Sequence, residues 1–270
     1  MGIAEVGVRP GAADGIRRST GVRRGWELVT HLTLHEMAAR HRFTALGWAW
    51  PLVRQLAQFA VLLVVFSAIV DLEIPSYPAF LFAGLVGWAW FATGVADGTG
   101  ALLARGHLLM QPRCPAAVIP LVPLGTALVD ALIALPVLVA LVLAEGALHP
   151  EALLLPAIAA IQLVLMAGIV WMTAAASVYL RDVRHVVTIA LTLLFYLTPV
   201  FYELGKVPES FRWLLHLNPM TTLIESYRDV LIGGRLPGFG LLGVCLASVL
   251  VAVAGLAVFN RLRPGFVDEL

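Results

Sequence analysis

Charge is what this sequence lacks. Only 13% of its 270 residues are charged and 60% are hydrophobic, whereas a water-soluble domain carries roughly 25% charged and about 45–50% apolar residues. Too few charges exist to coat a core of this size, which excludes a soluble globular fold and makes a membrane the solvent. Lysine is almost missing: Lys206 stands alone and the other cations are arginines. No domain-sized basic face follows from them, which excludes nucleic acid as a partner. Cysteine is scarce too. Cys114 and Cys245 form neither a CxxC pair nor a metal-ligand spacing, and they fall at different predicted membrane positions, so both read as small apolar residues without a disulfide. A phosphate-cradling GxxxxGK[ST] loop is absent. The one Gly-Lys pair, Gly205 and Lys206, is followed by Val207 and has no upstream glycine in register. This excludes ATP hydrolysis by the chain itself. The first 46 residues contain arginines and acids but no apolar stretch of the signal-peptide kind, so the first span is expected to serve as the insertion signal.

What the sequence has is long apolar runs. A span needs about 20 mostly apolar residues, and six candidates occur, at 47–70, 79–103, 116–144, 152–180, 186–202 and 237–260. Loop charges set their orientation, because arginine and lysine stay on the cytoplasmic side. The segment before span one carries Arg9, Arg17, Arg18, Arg23, Arg24, Arg40 and Arg42. The loop after it holds only Asp71 and Glu73. Arg105 and Arg113 follow span two; Glu145, His149 and Glu151 follow span three; Arg181 and Arg184 follow span four; Arg261 and Arg263 lie in the tail. Basic and non-basic loops alternate in register, which predicts six spans with both termini in the cytoplasm.

Two segments are not plain loops. Residues 203–235 are rich in Trp, Leu, Tyr and Ile and read as two short helices on the outside. Pro208, Glu209 and Ser210 start the first and Asn218-Pro219 stops it. Thr222 and Glu225 have capping-box spacing for the second, and Gly233-Gly234 ends it. Two apolar half-helices on one side of a membrane predict a re-entrant hairpin, tolerated where protein or a water-filled cavity surrounds it. Residues 26–46 predict an interfacial amphipathic helix, with Leu28, Val29 and Leu32 on one face and Glu36 interrupting the stripe. Residues 1–25 are Gly-, Arg- and Ala-rich and read as a mobile cytoplasmic N-terminus, leaving 26–270 as a single permease domain.

Candidate chemistry is sparse. His31 and His35 are four apart, but HExxH is absent and the pair reads as a polar helix face. No Ser/His/Asp set is legible. Arg54, Asp97 and Asp130 are intramembrane charges, which are expensive and point to function by default. Arg54 and Asp97 lie near the cytoplasmic side, where snorkelling satisfies them; Asp130 lies near mid-span, where a polar group across the bundle would pair with it. Each is weighed as structural before it is weighed as a transport residue. Gly94 and Gly98 form a GxxxG that permits close helix packing, a pattern common by chance in Gly-rich spans. Tyr196, Phe201 and Tyr202 are candidates to line an exit path.

Several stretches together resemble one family. They are RFTALGWAWP at 42–51, LLMQPRCPAAVIPL at 108–121, YLRDV at 179–183, LTPVFY at 197–202, LNPMT at 217–221, ESYRD at 225–229 and the ending RLRPGFVDEL at 261–270. In this order the chain resembles the membrane subunit of type-2 ABC exporters, in the branch that exports polysaccharides and polyol phosphates such as O-antigen, capsule and teichoic acid. Asp97-Gly-Thr-Gly departs from the pattern, which has smaller or amide polar residues there. The resemblance implies an all-α integral membrane protein of the bacterial inner membrane that works as a homodimer. Two copies of a separate ABC ATPase subunit, which binds the ATP and magnesium, would complete the assembly. It assigns the loops with Arg105, His107, Gln111 and Arg113, and with Arg181, Asp182 and Arg184, to ATPase coupling. It assigns Tyr196, Phe201, Tyr202, Trp213, Asn218, Pro219, Glu225, Tyr227, Arg228 and Asp229 to the channel and exit gate. A lipid-linked glycan would be the substrate, with its phosphates near the arginine-rich helix. A drug or lipid exporter permease stands as the alternative within the superfamily. An ion-coupled secondary transporter would want midplane acids and inverted repeats, and only Asp130 fits.

Overall fold

The computed structural model describes residues 21–40, 47–69, 74–106, 115–146 and 149–269. Every regular element among them is helical. In chain order these are α1 (Gly21–Arg40), α2 (Trp50–Val64), α3 (Tyr77–Thr99), α4 (Ala101–Ala104), α5 (Val122–Ala144), α6 (Leu155–Tyr179), α7 (Val183–Leu197), α8 (Glu209–His216), α9 (Pro219–Arg228), α10 (Gly240–Leu262) and α11 (Phe266–Glu269). Five stretches are long and apolar enough to cross a membrane: Trp50–Ser67, Tyr77–Thr99, Ala116–Ala144, Pro150–Tyr179 and Gly240–Gly265. They coincide with five of the six expected spans.

The expected fifth span is shorter than its apolar run. A helix was expected over 186–202, but α7 covers Val183–Leu197, 15 residues, or about 22 Å at 1.5 Å per residue. Proline explains the stop. Thr198 precedes Pro199 and is held extended, at φ −100 and ψ 134, as the proline ring demands of its predecessor.

α3 is the centre of the molecule. α5, α6, α9, α2 and α7 all pack against it, and Phe82, Leu81, Leu85, Trp88, Trp90 and Phe91 bury on it. Apolar burial does not distinguish folded from unfolded helices in lipid, so packing and interhelical hydrogen bonds hold such a bundle together. Both are visible. Trp171 Nε1 donates to Ala117 O at 2.9 Å, Ser177 Oγ to Thr99 O at 2.8 Å and Tyr179 OH to Leu262 O at 2.8 Å; the hydroxyls of Thr99 and Thr173 share a bond of 2.8 Å. α6 and α10 touch main chain to main chain. A Cβ on Gly168 would lie 2.6 Å from Ala252 N, and one on Gly255 would sit on Gly168 O.

α1 crosses the start of α5. Among its described side chains, Thr33 and Met37 point inward, whereas the expected face of Leu28, Val29 and Leu32 is only half-buried. Glu36, which interrupts the apolar stripe, ion-pairs with Arg105 beyond α4. The helix begins at Gly21, ahead of the expected 26; residues 1–20 and 41–46 lie outside the described part.

The hairpin is two helices, with the second starting earlier than its capping-box signal. Asn218 does not merely stop α8. It caps α9: its Oδ1 accepts from Met220 N at 3.0 Å, with Pro219 in the first turn. Thr222 and Glu225 therefore sit inside α9, where Ser226 Oγ donates to Thr222 O at 2.7 Å. A single wide turn, Asp229–Gly233, follows, and Gly234 at φ 54 closes it in the left-handed region.

Candidate translocation groove

A polar groove runs along α3, walled by α2 and α7. Its floor is Leu85, Ala89, Ala92, Thr93 and Ala96, spaced at three and four residues, so they share one stripe of the helix. The small side chains of Ala89, Ala92, Thr93 and Ala96 keep the floor low. Arg54 and Gln58, one turn apart, line it from α2. Thr188, Thr192 and Tyr196 repeat every fourth residue on α7 and line it from the other side. Both threonine hydroxyls fold back onto their own helix, on Arg184 O and Thr188 O at 2.9 Å.

Three cavities that share lining residues make up the groove. At the α1 end, about 440 Å³ is lined by Arg181, Arg184 and His185 together with Asp97. The second, about 560 Å³, brings Arg54, Asp97 and Asp130 to one place. The third, about 530 Å³, reaches toward the hairpin, past Trp88 to Phe195 and Tyr196. The three intramembrane charges, which the sequence offers one at a time, thus belong to a single site.

At the hairpin end the groove meets an aromatic cluster. Phe66 stacks on Phe201 at 4.9 Å between ring centroids, Phe195 lies 5.7 Å from Phe201 and 5.8 Å from Trp88, and Tyr202 lies 5.1 Å from Phe201. Tyr196, Phe201 and Tyr202 are therefore brought together. Asn218 adjoins them, donating from Nδ2 to Thr198 Oγ1 at 2.8 Å. Trp213 is on the outer face of α8, 67% exposed.

Tyr227 and Arg228 point into the protein. The Arg228 guanidinium donates to Phe80 O at 3.2 Å and to Pro199 O and Val200 O at 2.6 Å, and it lies over the Phe80 ring at 3.4 Å. It thereby ties α9 to α3 and to the turn after α7. Gly84 makes room, since a Cβ there would lie 2.6 Å from the guanidinium. One turn along α3, Gly87 accepts the Tyr227 ring. Tyr227 OH donates to Gln162 Oε1 at 3.0 Å, and Gln162 Nε2 donates to Gly87 O at 3.0 Å. Glu225 and Asp229 are half-buried beside them. Burial pushes the Glu225 carboxyl above its ordinary value, against the pull of the His216 charge; burial raises Asp229 too, with Arg235 opposing.

At the other end, Arg181, Asp182 and Arg184 form an exposed turn between α6 and α7. Arg184 lies across the α3–α4 junction, where a Cβ on Gly100 would come within 2.9 Å of its Nε. Arg105 is engaged with Glu36. His107, Gln111 and Arg113 lie outside the described residues. Sequence reading missed Gln55, Gln58, Gln162, Thr188 and Thr192. The signal for them was present: amides inside otherwise apolar runs, and a threonine pair four apart.

Comparison with known proteins agrees with this architecture. The profile of the ABC-2 type transporter family matches residues 27–232. The chain is 34% identical over 247 residues to the O-antigen export system permease protein RfbA of Myxococcus xanthus, across 90% of this chain and 95% of that protein. It is 26% identical to an RfbA of Klebsiella pneumoniae, across 91% and 95%. It is 24% identical to the polysialic acid transport protein KpsM of Escherichia coli, across 88% and 96%.

Proposed function

Because the chain belongs to the ABC-2 type transporter family, we propose that it is the transmembrane subunit of an ATP-driven polysaccharide exporter. The observation that carries this reading is near-complete coverage of O-antigen export permeases, together with a polar groove on spans that should otherwise face lipid. The groove is half a conduit. α2 buries almost nothing except Gln55, and α7 buries only Leu191. A second copy set face to face would enclose the two grooves between them, so the working unit is a homodimer. Two copies of a separate ATPase subunit bind the ATP and magnesium and dock on the α1 side, at the Arg181–Arg184 turn and the segment around Arg105 and Arg113. α7 serves as the fifth of six spans, both termini are cytoplasmic, and α8 and α9 form an external re-entrant pair. The aromatic cluster of Phe201 and its neighbours is the exit gate, and residues 26–270 act as one permease domain. A lipid-linked glycan enters at the basic α1 end and leaves at the hairpin.

The sidedness is tested by replacing Cys114 and Cys245 and placing single cysteines at Ser210 and Asp182. A membrane-impermeant maleimide should label position 210 in intact spheroplasts and position 182 only after lysis; the reverse pattern refutes the topology. Assembly is tested by co-purifying the tagged chain with the ATPase encoded beside it. A complex of two plus two copies whose ATP hydrolysis depends on this subunit is expected, and its absence in mild detergent refutes the exporter.

A further inference from the structure

We propose that a small recess behind the groove, between α2, α3 and α5, is a built site for ordered water that bridges the three helices. Among the described residues of α2, Gln55 alone is buried. It is 9% exposed, and it lines a recess of about 40 Å³ with Arg54 and Gln58 of the same helix, Trp90 and Thr93 of α3 and Asp130 of α5. The recess is distinct from the groove cavities, although Arg54, Thr93 and Asp130 border both. Gln55 Nε2 is buried and has no hydrogen-bond partner among the described residues. A buried amide donor left in that condition is costly. An apolar side chain at this position of the span would carry no such cost, so the amide points to a ligand.

Size and chemistry narrow that ligand to water. Each buried water needs about 10–15 Å³ of such space, so the recess takes roughly two or three. It is far too small for a sugar ring, which keeps a glycan in the groove and out of the recess. A cation would meet the Arg54 guanidinium and the N–H donors of the amides. Apolar voids stay dry, whereas buried water settles where polar groups supply about three hydrogen bonds. Here guanidinium and amide N–H groups donate, and carboxylate, amide and hydroxyl oxygens accept. Water does both, so it suits either end of the Gln55 amide. The partners belong to three spans. Water among them joins α2 to α3 and α5 by hydrogen bonds, in a solvent where apolar burial drives no association between helices.

The test is hydroxyl-radical footprinting by X-ray radiolysis, on the full-length chain in nanodiscs. Radicals born from a bound water label the side chains around it. Trp90 lines the recess and is 5% exposed, Trp213 is 67% exposed, and Phe82 in the core is 0% exposed. Trp90 should be oxidised readily and Phe82 should not. After rapid mixing into water enriched in heavy oxygen, the Trp90 product should gain the isotope later than the Trp213 product, because held water exchanges slowly. Gln55→Leu removes the amide and should lose most of the Trp90 labelling while leaving that of Trp213; misfolding would raise both. Trp90 labelling as low as that of Phe82 overturns the proposal. So does a Trp90 product that gains heavy oxygen in step with Trp213, since solvent from the groove would then be its source. Undiminished Trp90 labelling in Gln55→Leu, with a cooperative unfolding transition retained, overturns it as well.

Discussion

Arg228 carries more of the hairpin than any other side chain, and its chemistry makes specific demands. Three carbonyl oxygens on two elements accept from a rigid fork. Lysine offers a single point of charge and cannot reach all three. Arg228→Lys should therefore destabilise the protein by about 3 kcal/mol, in the range for a broken buried charge site, seen as a lower unfolding midpoint in detergent. Tyr227 makes a smaller contribution through its hydroxyl. A double-mutant cycle of Tyr227→Phe with Gln162→Ala should give a coupling of about 0.6 kcal/mol, and at most ~1.7, as for interhelical hydrogen bonds in lipid. A coupling indistinguishable from zero would mean that the bond of 3.0 Å contributes only shape.

Among elements, the pair α6 and α10 shows how position sets the role of glycine. Gly255 lies against the main chain of Gly168, while a Cβ on Gly243, in the same helix, would meet nothing within 4 Å. Gly255→Ala should destabilise by ~1–3 kcal/mol or more, because backbone cannot yield. Gly243→Ala should be neutral or stabilise by ~0.5–1 kcal/mol, the helix propensity gain. Unfolding midpoints of the two variants, measured side by side, decide the point. This contrast was not legible in the sequence, where the two glycines look alike. The five long spans were legible, since about 20 apolar residues admit few other readings. The end of α7 was overrun because an apolar count does not register what Pro199 does to Thr198. The start of α9 was missed because Asn218-Pro219 can end one helix and begin the next, and here it does both. For the groove, each charged residue was visible but their meeting was not. Arg54, Asp97 and Asp130 are far apart in the chain, and only the packing of α2 and α5 on α3 joins them. Arg228 was likewise visible as an external charge, but nothing nearby in the sequence reveals that carbonyls of residues 80, 199 and 200 surround it.

At the scale of the whole molecule, α7 stands out for its length. Its 15 residues make a rod of about 22 Å, set in a hydrocarbon layer of about 30 Å. Such a mismatch is met by thinning of the adjacent bilayer, by snorkelling of flanking residues or by oligomerisation, each at a modest cost for each ångström. Export rates in nanodiscs should accordingly fall as acyl chains are lengthened from about 14 to 22 carbons, with the complex still assembled; a flat profile would show that α7 does not feel the lipid. The short helix also shapes the energetics of passage. Thinning of the film beside α7 would bring the aqueous phase closer to the groove wall, so a hydrophilic polymer would cross a waist rather than the full film. The barrier to a sugar chain would then be lowered before any ATP is spent, by the short span that Pro199 sets.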